Sequence, residues 1–507
     1  MIWFFWIGVL VLAISAIMFF VKRVKIAVLL LMIGGLFLRI NASADPYLHE
    51  WDERYHALVA KHLIDDPFKP MLYDQPLMGY NKEDWSKNHI WLHKQPVPLW
   101  SIATSLYFFG ISEFAVRIPS LILTVIGIGL MFLIGYEVYG RTVGYISAFF
   151  YAVNGLIIEL AAGRSATDHV DIFFLFFIQL AVYLCILFSQ NKKQIYNVLC
   201  GVSIGLAILS KWLPALIVLP IWILFMVKNS KPLDLRVLLK NFGVLLVTII
   251  IIAVPWQIYT FLRFPEEAMI ESAYNVKHLW EVLEDQYRPF YYHFERIRIS
   301  FGELIYLPLI WYFVKSIKRP FRFERLAISI WIIVPILFFS FAATKMKAYT
   351  MFTAPALFMI TALFFKYLSI YRTKIKYKVI STLVMVAMIA LPVRYMFERV
   401  KPFKDHGEKA KIVTYLKELK PKVADKKVVL FRVDSSIEAM FYTDVVAYPW
   451  RPSSDAKLAE IHDKGYLICI KGSNGLSDEV LALENIIVFE DYPDLIERVS
   501  LKIRTSI

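Results

Sequence analysis

The chain has 507 residues, 58% of them hydrophobic and 19% charged, and several of its apolar runs are long enough to cross a bilayer. This composition indicates a polytopic membrane protein. The formal net charge of +14 does not indicate nucleic-acid binding, because the lysines and arginines cluster in short loops between apolar runs. The three cysteines provide neither a disulfide framework nor thiolate ligands for a metal.

The apolar runs predict an all-α polytopic catalytic domain over residues 1–400, with about twelve transmembrane helices. We interpret the first run, residues 1–21, as a retained helix and not a signal peptide. The other spans are expected near residues 26–40, 114–138, 143–161, 170–189, 195–210, 213–227, 242–262, 301–317, 326–343, 348–365 and 379–396. The positive-inside rule then places four basic loops in the cytoplasm, namely residues 22–25, 228–240, 315–325 and 366–378.

The first extracytoplasmic loop, residues 41–113, carries a predicted amphipathic helix. Large apolar side chains recur at helical spacing within residues 51–63, and Asp52 and Glu53 lie off that stripe. We expect this helix to lie in the membrane interface. The apolar segment 96–111 is shorter than a crossing requires, and a span there would move later basic loops outside, so we expect it on the outer surface.

Acidic residues stand out at two places on the predicted outer side. Asp52 lies beside Glu53, and Asp168 lies at a helix entrance with Asp171 as a weaker alternative. Acids at the ends of membrane helices are costly unless they face a cavity or a cation, so they are candidates for a site. The purely structural alternative for Asp168 is an ion pair with Arg164, four residues earlier on one helix face.

Five cations lie at predicted outer helix ends, opposite to the side that topological lysines occupy. They are Lys94, Arg164, Lys211, Lys345 and Lys347. Snorkelling would explain one or two of them, but five among carboxylates and aromatic residues indicate a pocket for a phosphate beside the membrane. If the donor is a sugar on a polyprenyl phosphate, the leaving group is a stable phosphate that needs cations, and a carboxylate would serve as base for the acceptor hydroxyl.

The composition changes near residue 400. The strand-like segments "KKVVLFRV", "VVAYPW", "YLICIKG" and "NIIVFEDY" alternate with helix-like stretches. This alternation predicts a small α/β domain over residues 401–507. The alternation of the predicted membrane spans places this domain on the extracytoplasmic side. It shows no Gly-rich phosphate loop and no paired catalytic acids, so we assign it no chemistry.

Six segments, in this order along the chain, resemble motifs of one family. They are "DERYHALVAKHL" (Asp52–Leu63), "HKQPVPLW" (His93–Trp100), "GRSATDHVDIFFLFF" (Gly163–Phe177), "GLAILSKWLPALIVLP" (Gly205–Pro220), "QYRPFYYH" (Gln286–His293) and "TKMKAYTMFTAPAL" (Thr344–Leu357). The chain thereby resembles the polyprenyl-phosphate-dependent GT-C glycosyltransferases, which include the lipid A aminoarabinose transferase and protein mannosyltransferases.

The resemblance implies the GT-C fold and inverting transfer of a sugar from a polyprenyl-phosphate-linked donor to a lipid, glycan or protein acceptor. It implies that Asp52 is the catalytic base or the acid that positions the acceptor, with Glu53 beside it and Asp168 as a second essential acid. The residues implied at the donor phosphate are Lys94, Arg164, Lys211, Lys345, Lys347 and Tyr349. Those implied at the substrate cavity are Tyr55, His93, Arg288 and Tyr291.

Departures from the family pattern concern the sugar, the acceptor and a metal. Trp212 replaces a glycine after the loop lysine, and Lys347 stands where the aminoarabinose transferase has proline. His93 replaces an acidic residue that can take part in metal binding in that enzyme. His89 and His93 would reach one divalent ion if their segment were helical, so a metal cofactor stays open and no other cofactor is expected.

A membrane transporter is the alternative from another class, because acids and cations inside a membrane also mark ion pathways. No inverted repeat or broken helix pair at midplane supports it in the sequence. A second alternative, an oligosaccharide ligase or polymerase, would need a lipid diphosphate donor. We expect an integral multi-pass protein of the inner cell membrane, surrounded by membrane lipids, with its site on the extracytoplasmic side and no nucleic-acid partner.

Overall fold

The computed structural model describes residues 2–82, 84–230, 234–372, 378–401 and 407–505. Parts of two predicted cytoplasmic loops, and the residues just after the predicted boundary at 400, lie outside the described residues. The chain forms two compact units. The helical unit comprises Met1–Ala44, Lys94–Pro98 and Arg117–Pro402, and the mixed unit comprises Asp45–His93, Leu99–Val116 and Phe403–Ile507.

Helices dominate both units. In chain order they are α1 (Ile2–Phe20), α2 (Val24–Ala42), α3 (Asp52–His62), α4 (Pro96–Phe109), α5 (Glu113–Tyr139), α6 (Arg141–Ala152), α7 (Gly155–Ala161), α8 (Asp168–Asn191), α9 (Gln194–Lys211), α10 (Val218–Lys228), α11 (Leu235–Arg263), α12 (Pro265–Trp280), α13 (Tyr292–Phe301), α14 (Tyr306–Lys318), α15 (Phe323–Phe341), α16 (Ala354–Tyr371), α17 (Lys378–Val400), α18 (Gly407–Val423), α19 (Ser436–Thr443), α20 (Asp455–Asp463), α21 (Asp478–Leu481) and α22 (Tyr492–Thr505). The 3₁₀ turns Leu213–Ile217 and Met351–Thr353 precede α10 and α16.

The membrane spans lie where the apolar runs predict them. Within the described residues, nine helices are long and apolar enough to cross a membrane, and the count reaches eleven if the bent pairs α6–α7 and α13–α14 each form one span. The apolar stretch Leu213–Lys228 is shorter. The multi-pass architecture is therefore confirmed, with nine to eleven spans where the sequence predicts about twelve. Helix α4 has 14 residues, fewer than a crossing requires.

Asn154 connects the two bends of the helical unit. Helices α6 and α7 meet at an angle of 53°, and α13 and α14 at 112°. The Asn154 side-chain oxygen accepts a hydrogen bond from the Ile157 backbone amide at 3.0 Å, which caps α7, and its amide donates to the Ser300 carbonyl at 2.7 Å. Gly302, with φ of +111°, lets the chain turn after α13. One side chain thus satisfies backbone groups at both breaks, which hydrocarbon could not do.

The mixed unit is built on a parallel sheet. Its strands are β1 (Val428–Phe431), β2 (Val446–Tyr448), β3 (Leu467–Lys471) and β4 (Ile486–Phe489), in the spatial order β2-β1-β3-β4. The four strands coincide with the four predicted strand-like segments, so the small α/β layer is confirmed. Strand β1 is buried along its whole length, as expected for a parallel sheet covered on both faces.

Helix α3 is covered by protein side chains of the mixed unit. The predicted stripe is present, and Tyr55, Leu58 and Val59 belong to the same hydrophobic core as the side chains of α19 and the sheet. Lys61 of α3 donates hydrogen bonds of 2.7 Å to the carbonyl oxygens of Met440 and Phe441. The apolar face that the sequence assigns to the membrane interface is therefore used for packing within the protein.

We expect Asn154→Ala to destabilise the protein by about 1–3 kcal/mol, since it removes a helix cap and a buried hydrogen bond. The measurement is the thermal unfolding of the purified protein in detergent. Asn191→Ala is the matched control, because Asn191 is exposed and bonds only within its own helix. Equal unfolding temperatures for the two variants would contradict the connecting role of Asn154.

Candidate functional site

A buried ion pair between Asp171 and Lys211 marks the candidate site of the helical unit. Asp171 lies in the first turn of α8 with its side chain 2% exposed, and one carboxylate oxygen contacts the ammonium of Lys211, the last residue of α9. The Thr167 hydroxyl donates to the other carboxylate oxygen. The Lys211 ammonium also lies 5.1 Å from the ring centre of Tyr349, within the range of a cation–π contact. Two predicted phosphate ligands, Lys211 and Tyr349, are thus neighbours.

Two further predicted residues lie beside this pair. The charge of Lys94 acts on the Asp171 carboxylate. Asp168 is fully buried at the start of α8, and its carboxylate accepts from the backbone amide of His169. Lys211 thus contacts Asp171, the acid that the sequence favours less.

Arg164 and Lys347 belong to a second charged cluster of the helical unit. Glu159 of α7 forms an ion pair with Lys347 at 3.0 Å and another with Arg399 of α17. Arg164 donates 2.7 Å hydrogen bonds to the carbonyl oxygens of Arg399 and Lys401. Because Arg164 lies in the loop before α8, the idea that it shares a helix face with Asp168 is wrong. Glu159 is not among the predicted site residues, although a single acid in an apolar run is a signal for a site.

Two predicted motifs meet around Lys345. The Thr344 amide donates to the His278 carbonyl of α12 at 3.1 Å, and the Lys345 amide donates to the Gln286 carbonyl at 3.2 Å. The loop before α16 is thereby tied to α12 and to the aromatic loop before α13. The Lys345 side chain is 6% exposed and its ammonium donates to the Ala342 carbonyl at 2.6 Å. Burial lowers the pKa of Lys345 from its ordinary value. This arrangement holds a cation in a partly desolvated position.

The predicted cavity residues of the aromatic loop lie toward solvent, and a third residue of the same motif is buried. Arg288 donates to the Tyr287 carbonyl at 2.6 Å, and Tyr291 is 60% exposed. His293 is fully buried, and the charge of Lys345 acts on it. Neither ring nitrogen of His293 has a hydrogen-bond partner among the described residues. His293 lies within the motif Gln286–His293 but is not among the predicted site residues.

In the mixed unit, Asp52 is the first residue of α3. The next residue, Glu53, is fully buried and accepts a hydrogen bond from the His49 backbone amide at 2.8 Å, which fixes the turn before the helix. Tyr55 packs edge-on against Trp85 with ring centres 4.9 Å apart. Burial raises the pKa of the Tyr55 phenol. Glu53 and Tyr55 thus form a rigid setting for Asp52.

The two histidines of "HIWLH" do not form the helical pair that a shared metal would need. Their segment is extended, with Ile90 bridged to Met71, so residues four apart lie roughly 13 Å from each other along the chain. His89 stacks on Tyr80 and His93 stacks on Trp85, each with ring centres 4.5 Å apart. Burial lowers the pKa of His89. Across the described ranges, no three His, Cys, Asp or Glu side chains are grouped to hold a metal, so these residues do not fit a bound ion.

Residues 93–259 are similar to the family model described as dolichyl-phosphate-mannose-protein mannosyltransferase. An uncharacterised protein of Aquifex aeolicus (strain VF5) is 28% identical over 60% of this chain and 60% of its own length. The undecaprenyl phosphate-alpha-4-amino-4-deoxy-L-arabinose arabinosyl transferase of Pseudomonas aeruginosa (strain UCBPP-PA14) is 26% identical over 53% of this chain. The alignment covers 49% of that relative, so the chain spans about half the length of this transferase.

Solved structures share the fold over most of the chain. ArnT from Cupriavidus metallidurans in the apo state matches with a TM-score of 0.59 and 15% identity, over 87% of this chain and 88% of its own. The archaeal oligosaccharyltransferase AglB from Archaeoglobus fulgidus, in complex with an inhibitory peptide and a dolichol-phosphate, matches with a TM-score of 0.52 and 14% identity, over 83% of this chain and 64% of its own. The predicted GT-C fold, with its small C-terminal α/β layer, is therefore confirmed.

We expect Lys211→Met to destabilise the protein by about 3–5 kcal/mol, because it leaves the Asp171 carboxylate buried without its cation. The double variant Lys211→Met/Asp171→Asn should recover part of that loss, since no charge is then stranded. Thermal unfolding of the single and double variants measures the coupling. Strictly additive effects would contradict the ion pair.

Proposed function

We propose that this chain, a multi-pass membrane protein with the GT-C fold of the polyprenyl-phosphate-dependent glycosyltransferases, transfers a sugar from a polyprenyl-phosphate-linked donor to an acceptor. The proposal draws on the fold and on the order of the six motifs. The relatives named above act, by their names, on undecaprenyl-phosphate or dolichyl-phosphate sugars. The same likeness favours sugar transfer over the transporter alternative.

One observation carries the proposal, namely the uncompensated charge of Lys345. Its side chain is buried, and within the described part of the chain no carboxylate forms an ion pair with it. A buried ammonium without a counter-ion is costly, so the site gains stability when an anion enters. Lys94 and Lys211 bring two further positive charges beside Asp171. A phosphate ester fits this excess of positive charge.

The chemistry of the donor matches such a site. When the bond between the anomeric carbon and the phosphate oxygen breaks, negative charge develops on the departing polyprenyl phosphate. Cations fixed in a partly desolvated position stabilise that charge more strongly in the transition state than in the ground state. In this proposal Lys94, Lys211 and Lys345 therefore supply most of the help that the leaving group needs.

The acceptor hydroxyl must lose a proton as it attacks, and we assign that proton to Asp52. Direct displacement at the anomeric carbon would invert its configuration. Glu53 and Tyr55 hold the first turn of α3 on which Asp52 lies. Asp168 is proposed as a second acid that maintains the entrance of α8, where it accepts a backbone hydrogen bond.

We further propose that this reaction takes place on the extracytoplasmic face, the side on which the positive-inside rule places the loops of Lys94, Asp168 and Lys345. The partners of the protein would be a polyprenyl-phosphate-linked sugar and a lipid, glycan or protein acceptor. The step as proposed uses no metal ion.

Lys345→Ala should weaken binding of undecaprenyl phosphate by about tenfold or more, because one charge-assisted contact of about 1.4 kcal/mol or more is lost. Titration of the purified protein with undecaprenyl phosphate in detergent measures the affinity. Lys240→Ala is the matched control, since Lys240 is exposed on the first turns of α11. An unchanged affinity in Lys345→Ala would remove Lys345 from the phosphate site.

Asp52→Asn should lower the rate of sugar transfer by about 10²–10⁴-fold and leave the affinity for undecaprenyl phosphate intact, because only the base is removed. The assay follows transfer from a polyprenyl-phosphate-linked sugar by mass spectrometry of the products. Asp65→Asn serves as control, because Asp65 is an exposed acid shortly after α3. Near-normal turnover of Asp52→Asn would refute the assigned role.

A further inference from the structure

A crevice lies at the carboxyl edge of the parallel sheet in the mixed unit. Its volume is about 470 Å³, within the usual range for small-molecule sites. Val433 and Asp434 follow β1, Lys471 ends β3, and Phe489 ends β4. Three strands thus point their carboxyl ends at the same cavity.

The topology of the sheet explains why a cavity lies there. The chain leaves β1 toward β2 on one side and then crosses to β3 on the other side, so the connections diverge between β1 and β3. In open α/β sheets this switch point, outside the carboxyl ends of the strands, is where ligands bind. The crevice occupies that position.

The charged residues of the crevice compensate one another. Arg54 pairs with Glu438 at 3.3 Å, Lys409 with Glu50 at 2.6 Å, and Lys411 with Glu408 at 2.9 Å. The remaining charged side chains of the lining are Asp434, Lys471 and Asp491. The lining therefore carries five acidic and four basic side chains, a balance that does not favour a phosphate.

The floor and walls favour hydroxyl groups. Asp434 and Asp491 present exposed hydrogen-bond acceptors to the crevice, and Lys471 presents exposed donors. A hydroxyl group both donates and accepts, so one hydroxyl satisfies an acceptor and a donor together. Tyr47, Tyr415 and Tyr492 supply aromatic surface around these polar atoms. Carboxylates, a guanidinium and aromatic rings in one cavity suit a polyhydroxylated ring.

The crevice is also linked by sequence to the proposed base. Glu50 and Arg54 both line it, and Asp52 lies between them on the same turn. From this placement we infer that the crevice binds the carbohydrate portion of the acceptor, as an uncharged or positively charged sugar. That the bound sugar belongs to the acceptor rests on the proposed function, whereas the binding of a sugar does not. The inference narrows the acceptor to a glycan or a glycolipid.

The test uses the full-length protein in detergent and three soluble probes, namely methyl α-D-glucopyranoside, glucosamine and glucose 6-phosphate. Saturation-transfer NMR should detect the first two with millimolar affinity, and glucose 6-phosphate should bind no more tightly than glucosamine. The double variant Asp434→Ala/Lys471→Ala should weaken binding by about fivefold or more, which is a clear change in a dissociation constant. Both residues are exposed, so the fold should tolerate the change.

The matched control is Asp463→Ala/Lys464→Ala, an exposed acid and lysine at the end of α20 in the same unit, which should bind the probes normally. Ile412→Trp, which places an indole in the crevice, is a second variant that should abolish binding. Absence of binding, preference for glucose 6-phosphate, or equal binding by crevice and control variants would each overturn the inference. Lys345→Ala should bind the sugar probes as the wild type does, because Lys345 does not line the crevice. If the wild type binds the sugar probes but transfers no sugar, the proposed function is refuted and the sugar-binding crevice is not.

Discussion

An ionised side chain inside an apolar helical bundle needs a partner, and this requirement shapes the helical unit. Arg39 is fully buried in α2 and donates to the Gly35 and Ala152 carbonyls and to the Thr124 hydroxyl. Asp171 and Lys211 join the start of α8 to the end of α9 in the same way. Because hydrocarbon offers no hydrogen bonds, each such group must find its partner within the protein. The pairing therefore determines where the connecting loops lie.

The same requirement distinguishes a structural charge from one that can serve a ligand. Glu159 is 188 residues from Lys347 in sequence and 240 from Arg399, yet it neutralises part of both. Lys347 is thereby engaged in holding loops together, in contrast to Lys345 two residues earlier. Buried ion pairs contribute little net stability, since desolvation offsets their attraction, but they fix one arrangement of the chain. In the helical unit that arrangement leaves Lys345, which is buried and has no carboxylate in an ion pair with it among the described residues, able to bind an anion.

Sequence patterns predicted the elements well and their partners less well. Apolar runs of bilayer length located the spans, and buried β-rich segments located β1 to β4, because both signals depend on neighbours along the chain. The amphipathic stripe of α3 is also real. Periodicity shows that a helix has an apolar face, but it does not show whether lipid or protein covers that face. Here α19 and the sheet cover it.

The contacts that the sequence did not predict depend on loop geometry, and the periodicity of apolar residues carries no information about loops. Asp168 and Asp171 are three residues apart at one helix entrance, so a sequence cannot tell which of them a distant lysine reaches. In the structure Lys211 contacts Asp171, and the Thr167 hydroxyl donates to the same carboxylate from a left-handed residue with φ of +65° just before α8. Similarly, "HIWLH" has the spacing of a helical pair but forms an extended segment, because Ile90 pairs with Met71. Such details require the fold.

The two units differ in how completely their charges are matched, and this difference bears on their chemistry. In the crevice of the mixed unit, three cations each have a carboxylate within 3.3 Å, so the cavity offers hydrogen bonds with little net field. In the helical unit, Lys345 keeps a charge that burial makes expensive. A sugar needs directed hydrogen bonds and can bind in a site without net charge. A departing phosphate needs positive charge that is not neutralised by a carboxylate when the bond between the anomeric carbon and the phosphate oxygen breaks. Sugar transfer from a lipid phosphate requires both kinds of environment, and a protein that supplied only one of them could bind a substrate without turning it over.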